Sequence, residues 1–228
     1  MKRSIVLSFV LLTITAVTAY SQTTTPSTSP ATNNSISPAI QPASAPFDKT
    51  IHFGLRAGTD FYKLTGKSFD NNFKFGYSGG IYVEWPISRR WGLQPELDVN
   101  ETVARTSPEF NQLYPGIGVS YQNLTLNYIS LPILVTFRAT DALTILLGPQ
   151  YGYMFYQTPG VSQQPYGPKD AFTKNDFSVL FGGQLDISRK IKLGVRYAVQ
   201  YTQLNNIDDN VDSWKTHGFQ AYLTYRVK

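Results

Sequence analysis

The chain has 228 residues, enough for one mid-sized domain with appendages, and carries 15 Tyr and 14 Phe against a charged fraction of only 15%. It has no cysteine, which excludes a disulfide framework, a thiolate metal site and a cysteine nucleophile. The formal charge of +5 comes from Lys and Arg scattered along the chain, a distribution that argues against a nucleic-acid surface.

Lys2 and Arg3 precede an apolar stretch from Ile5 to Val17, followed by the small or neutral residues Ala19, Tyr20, Ser21 and Gln22. This is the layout of a cleaved signal peptide over 1–21. The apolar run is too short and too interrupted for a membrane-spanning helix, which needs about 20 predominantly apolar residues. Residues 22–47 contain no charge and almost nothing able to fill a core, so they read as a disordered Ser/Thr/Pro-rich tether. The sequons at Asn33, Asn100 and Asn123 are three-residue patterns that arise by chance.

From Ile51 onward the hydrophobic period becomes two. In 51–62, Ile51, Phe53, Leu55, Ala57 and Phe61 oppose His52, Gly54, Arg56, Gly58 and Asp60. In 73–87, Phe75, Tyr77, Ile81, Val83 and Trp85 oppose Lys74, Gly76, Ser78, Tyr82 and Glu84. The segment 91–103 sets Leu93, Leu97 and Val99 against Gln94, Glu96, Asp98 and Asn100. In 123–138, Ile129 to Phe137 alternate with Tyr128, Ser130, Thr136 and Arg138, but Leu124 and Leu126 break phase, which predicts a bulge near Asn127. Segments 143–156, 177–188, 191–202 and 215–228 repeat the rule, giving eight strands in all.

The connections alternate in length: 88–90, 139–142 and 189–190 are short, whereas 63–72, 106–122, 157–176 and 203–214 are long. Short periplasmic turns, long outer loops and an even strand count describe an outer-membrane barrel. The expected architecture over 48–228 is therefore an all-β, eight-stranded antiparallel up-and-down transmembrane barrel. A soluble lipocalin-like barrel binding an apolar ligand shares the alternation with its greasy face turned inward. Such a barrel needs a densely charged exterior, and the polar face here is Gly, Ser, Thr, Gln and Tyr with a near-balanced set of ions. Aromatics also gather at the strand ends as two girdles, Trp85, Trp91 and Tyr225 near the short turns and Phe61, Tyr153, Phe155 and Tyr201 near the long loops.

The runs Tyr128-Ile129-Ser130-Leu131-Pro132 and Gly148-Pro149-Gln150-Tyr151-Gly152-Tyr153 resemble the PorT-like, or "porin family", outer-membrane β-barrel domains of Bacteroidetes. Gly54-Leu55-Arg56-Ala57-Gly58 and Gly194-Val195-Arg196-Tyr197 fit the same resemblance, which covers residues 51–228. It implies a fold like the OmpA- and OmpX-type small barrels and brings no catalytic residue, metal or cofactor. The C-terminal Tyr225-Arg226-Val227-Lys228 departs from the terminal aromatic residue of many such barrels.

Eight strands enclose an interior that side chains fill. Arg56, Glu96 and Arg196 lie five residues beyond their strand starts and are expected at one height, with Glu96 bonded to one or both arginines across the lumen. A lower ion layer is expected from Glu84, Asp186, Arg138, Lys192 and Arg226. A lipid-modifying enzyme needs a His, a Ser and an acid near a membrane face, for which His217, Ser213 and Asp212 are the nearest candidates in sequence. A histidine at a strand end is more often an interfacial residue. The expected protein is thus a monomeric, non-enzymatic barrel, with outer-membrane lipid as its surroundings and a protein or glycan partner at its loops.

Overall fold

A computed structural model describes residues 48–114, 123–158, 172–205 and 212–227. The leader and tether lie outside the described residues. Those described form eight strands: β1 His52–Thr65, β2 Lys74–Pro86, β3 Trp91–Arg105, β4 Asn123–Arg138, β5 Leu143–Thr158, β6 Asn175–Asp186, β7 Ile191–Gln200 and β8 Lys215–Arg226. Each pairs antiparallel with its sequence neighbour, and β1 with β8 closes the barrel. One helical turn, α1 Phe110–Leu113, interrupts the second long loop and was not visible as a period in the sequence.

Closure satisfies every sheet edge, which a sheet in lipid requires. The faces then follow from the pleat. Even-numbered residues turn inward on all eight strands, up to the irregularity at Phe155 in β5 beyond which Tyr156 is exposed, because the short turns 87–90, 139–142 and 187–190 each preserve the parity. Arg56, Asp60, Glu96, Asp98, Gln150, Arg196, Gln220 and Thr224 are buried, whereas Phe53, Leu55, Ile81, Leu97, Leu147, Val195 and Leu223 are exposed. The molecule is polar inside and apolar outside. This overturns the lipocalin-like alternative, whose greasy face would surround a ligand. The girdle residues Trp85, Trp91, Tyr225, Phe61, Tyr153, Phe155 and Tyr201 all stand on the exposed face.

An apolar belt of this extent needs lipid or detergent around it. Leu147 is 52% exposed and pairs with Val135 and Phe181, both also on the outer face. Leu147→Arg should therefore cost about 2–4 kcal/mol near the membrane midplane, read as a lower urea midpoint for refolding into vesicles. A midpoint equal to wild type would place Leu147 outside lipid.

The register shift expected near Asn127 lies between Asn127 and Tyr128 in the β4–β5 pairing, where Asn127 meets Tyr156 and Tyr128 meets Met154. The extra residue, Phe155, belongs to β5. Leu124 and Leu126 are in phase with Tyr128 and Ser130, and all four point inward. Their apolar character has a different cause: they join a hydrophobic cluster at the long-loop end.

Close packing across the lumen explains two glycines. A Cβ on Gly54 would overlap the ring of Tyr82, and one on Gly194 the ring of Tyr222. Each tyrosine lies flat over a glycine of a neighbouring strand and fills width that two side chains would contest.

Candidate functional site in the lumen and at the outer mouth

Three layers fill the lumen. At the short-turn end, Glu84 on β2 accepts from the Lys192 ammonium and from Arg226 Nη2 at 2.7 Å. Lys192 Nζ lies 3.7 Å from Asp186 Oδ1. Arg138, expected in this layer, is not part of it. As the last residue of β4 it is exposed at the rim and forms no ion pair among the described residues. Water solvates it there at lower cost than burial would.

In the middle layer Arg56, Arg196, Glu96 and Asp98 have side chains with no exposure. Arg196 Nη1 donates to Glu96 Oε2 at 2.7 Å and its Nη2 to Asp98 Oδ2 at 3.1 Å. Arg56 Nη1 donates to the same Asp98 oxygen at 2.6 Å. The carboxylate that joins both arginines is therefore Asp98, and Glu96, expected to bond one or both of them, bonds Arg196. Glu96 meets Arg196 and accepts from Gln94 Nε2 at 2.8 Å. Strand tilt separates the two acids: two residues along β3 change both height and azimuth, which moves Asp98 toward β1. Gln220 Oε1 accepts from both arginines, and the Arg56 guanidinium lies 4.3 Å from the Tyr222 ring centroid. Three ion pairs, two of them sharing one Asp98 oxygen and two sharing the Arg196 guanidinium, offset the cost of burying four charges. One side of the lumen is apolar, where Leu134, Leu146 and Leu180 point inward with Tyr62 and Ala198.

Above these, smaller polar groups pair locally. Ser78 donates to Asp60 at 2.9 Å, Asn100 Nδ2 to Ser130 at 2.8 Å and Gln150 Nε2 to Ser178 at 3.2 Å.

The outer mouth holds a second core built from the bases of the long loops. Trp214 is wholly buried among Phe69, Phe110, Tyr114 and Phe172, with ring centroids 5.0, 6.1, 5.5 and 5.1 Å away. Leu64, Leu124, Leu126, Met154 and Leu204 complete it from below and beside. Bridges Phe69–Thr106 and Phe172–Asn205 tie loop to loop. Asp212 pins the cap. Its carboxylate accepts from the backbone N–H of Lys67 and Ser68 at 3.0 and 2.8 Å, from the Ser68 hydroxyl at 2.6 Å and from Trp214 Nε1 at 3.1 Å.

Burial pushes the Asp212 carboxyl up, but the Ser68 hydroxyl, the two backbone donors and the indole together outweigh it and leave the group below its ordinary value. A depressed carboxylate stabilises the fold above its unfolded value and loses that contribution as pH falls through the folded one. The cap should accordingly stay closed from neutral pH down to the ordinary carboxylate range and loosen only below it. Asp212→Asn should loosen it by about 1–3 kcal/mol at pH 7. Protease cleavage of the loops against pH reports both. Equal cleavage of variant and wild type at pH 7 would show that Asp212 does not hold the cap.

Asp212 and Ser213 are thus not set against His217. Ser213 donates to Gln203 at 2.8 Å, and the His217 ring lies on the outer face between Phe73 and Tyr197, both centroids 6.4 Å away. His52, on the first residue of β1, is remote from it along the chain's rise. The three residues weighed for acyl chemistry do not form a relay.

A comparison with curated proteins finds no match. Among solved structures, the chain is similar to Neisserial surface protein A at 16% identity and a TM-score of 0.48, over 76% of this chain and 96% of that one. It is similar to Ail, the attachment invasion locus protein of Yersinia pestis, at 12% identity and a TM-score of 0.44, over 77% and 99% of the two chains. It is also similar to the outer membrane enzyme PagL at 11% identity and a TM-score of 0.38, over 78% and 100%. A family model described as outer membrane protein beta-barrel domain matches residues 38–209. That match spans most of the chain and agrees with a closed barrel whose apolar face is outside; the chain belongs to the outer membrane protein beta-barrel domain family and stands in the outer membrane with lipid against its odd-numbered face.

Proposed function

We propose that the protein is a non-enzymatic, monomeric barrel that acts as a scaffold, its outer loops offering a surface to a protein or glycan partner. One observation carries this reading: the space where a small barrel would conduct or hold a substrate is filled. The lumen is occupied by the Arg56, Arg196, Glu96 and Asp98 network, and the mouth by the core around Trp214. Binding on such a scaffold falls to its long connections, of which 157–176 is the longest and is rich in Pro, Gly and Gln. Within the family we place the chain with the PorT-like members of Bacteroidetes, on the runs from Tyr128 to Pro132 and from Gly148 to Tyr153.

The test has two arms. Incubation of the reconstituted protein with outer-leaflet lipid should leave the mass spectrum of the lipid unchanged, and a deacylated or acyl-transferred species would overturn the non-enzymatic reading. In cells lacking the protein, a variant with 160–170 replaced by a Gly-Ser linker should assemble yet fail to restore the envelope or secretion phenotype that wild type restores. Full restoration would remove that loop from the function.

The same reading makes 1–21 a cleaved leader and 22–47 a periplasmic tether. Because the tether cannot bury enough apolar area to offset ordering, a mature chain beginning near Asp48 should refold with an unchanged melting midpoint. A lowered midpoint would show that the segment packs against the barrel.

A further inference from the structure

The outer half of the lumen has more acids than bases. Below the cap, Asp60, Glu96, Asp98 and Asp176 face only Arg56 and Arg196 among the described residues. Lys74, the next inward base, stands at the rim beside Asp70, 3.8 Å away. Glu96 and Asp98 are matched by the two arginines. Asp60 has the Ser78 hydroxyl, and Asp176 accepts from the Gln200 amide but has no cationic partner among the described residues.

Asp176 borders a cavity of about 30 Å³ together with Asn100, Gln150, Gln200, Tyr62 and Tyr128. Three buried oxygens at this cavity have no donor: Asp176 Oδ1, Asn100 Oδ1 and Gln150 Oε1. Asn100 and Gln150 are each only 4% exposed, and their amide nitrogens are spent on Ser130 and Ser178. All three orphans are acceptors. They come from β3, β5 and β6, and the closed barrel turns all three toward one space in the lumen. A group left without a partner in a low-dielectric interior costs free energy that a matching ligand recovers.

We propose that this cavity binds a small monovalent cation of sodium's size, held by the Asp176 carboxylate and the amide oxygens of Asn100 and Gln150. Hard oxygen donors suit such an ion. The volume admits about two water-sized particles, room for a largely dehydrated ion and too little for a divalent cation that keeps several waters. A divalent ion also calls for several carboxylates, and among the described residues no three His, Cys, Asp or Glu stand together to hold a metal. The bound cation offsets the unmatched charge of Asp176 and ties three strands beneath the cap.

The probe is sodium chloride against N-methylglucamine chloride at constant ionic strength and pH 8, with full-length protein folded in zwitterionic detergent. The midpoint temperature is read from the folded-to-unfolded gel shift. In wild type it should rise with the logarithm of sodium once sodium exceeds Kd, by about 5 °C at a hundredfold excess over Kd. Asp176→Asn should abolish the sodium dependence, and Gln150→Met should move it to about tenfold higher sodium. If Asp176→Asn does not fold, Gln150→Met decides alone. Identical wild-type midpoints in the two salts would mean that the cavity holds water only or that Asp176 is protonated, and would overturn the proposal. So would a sodium dependence that Gln150→Met leaves in place.

Discussion

Asp98→Asn should be the most damaging single change in the barrel wall, at about 3–5 kcal/mol. One Asp98 oxygen receives both Arg56 and Arg196, so neutralising it leaves two guanidinium groups facing each other with Glu96 as the remaining carboxylate between them. Glu96→Gln removes one partner of one arginine, and Asp98 still holds both, so its cost should be smaller. The network also predicts coupling: Asp98→Asn combined with Arg56→Gln should cost less than the sum of the two single changes, because the second relieves the unmatched charge left by the first. Urea midpoints for refolding into vesicles measure all four. A double variant whose loss equals the sum would dissolve the network into independent contacts.

The second large effect lies at the mouth. Trp214→Ala removes a wholly buried indole that touches four other rings and should cost about 3–5 kcal/mol. The loss should be local. The ladder of β1 to β8 is closed by its own hydrogen bonds, so the variant should still shift on a gel when heated, while amide exchange at Phe69, Asp70, Thr173 and Leu204 accelerates about a hundredfold or more. Loss of barrel assembly together with cap protection would show that the cap is needed for closure.

The two predictions differ in how far the sequence foretold them. Parity on each strand, the alternation of turn lengths and the inward placing of Arg56, Glu96 and Arg196 were all legible, because a pleated strand leaves a period of two and short turns carry it from strand to strand. The partner chosen by Arg56 was not. Which carboxylate reaches Arg56 depends on tilt and stagger, which set azimuth around the lumen, and counting along one strand gives height alone. Arg138 misled for a related reason: its parity is inward, but its depth puts it at the solvated rim. The cap was written in a signal read otherwise. Leu124 and Leu126 are apolar on a polar face because they floor a second core, and their apparent break of phase marked the depth at which the lumen ends. The core's other members, Phe69, Phe110, Phe172 and Trp214, lie on separate loops with no period to join them.

The central claim is the orientation of the two faces, and the absence of cysteine makes it open to single-cysteine spin labelling without background. Labels at Leu147, Val195 and Leu223 in reconstituted protein should collide with oxygen dissolved in the bilayer and remain shielded from a water-soluble nickel complex. Labels at the inward positions Thr144 and Gln200 should be shielded from both. The reverse pattern, with Leu147, Val195 and Leu223 shielded and Thr144 and Gln200 open to nickel, would contradict an apolar exterior and return the chain to a soluble barrel.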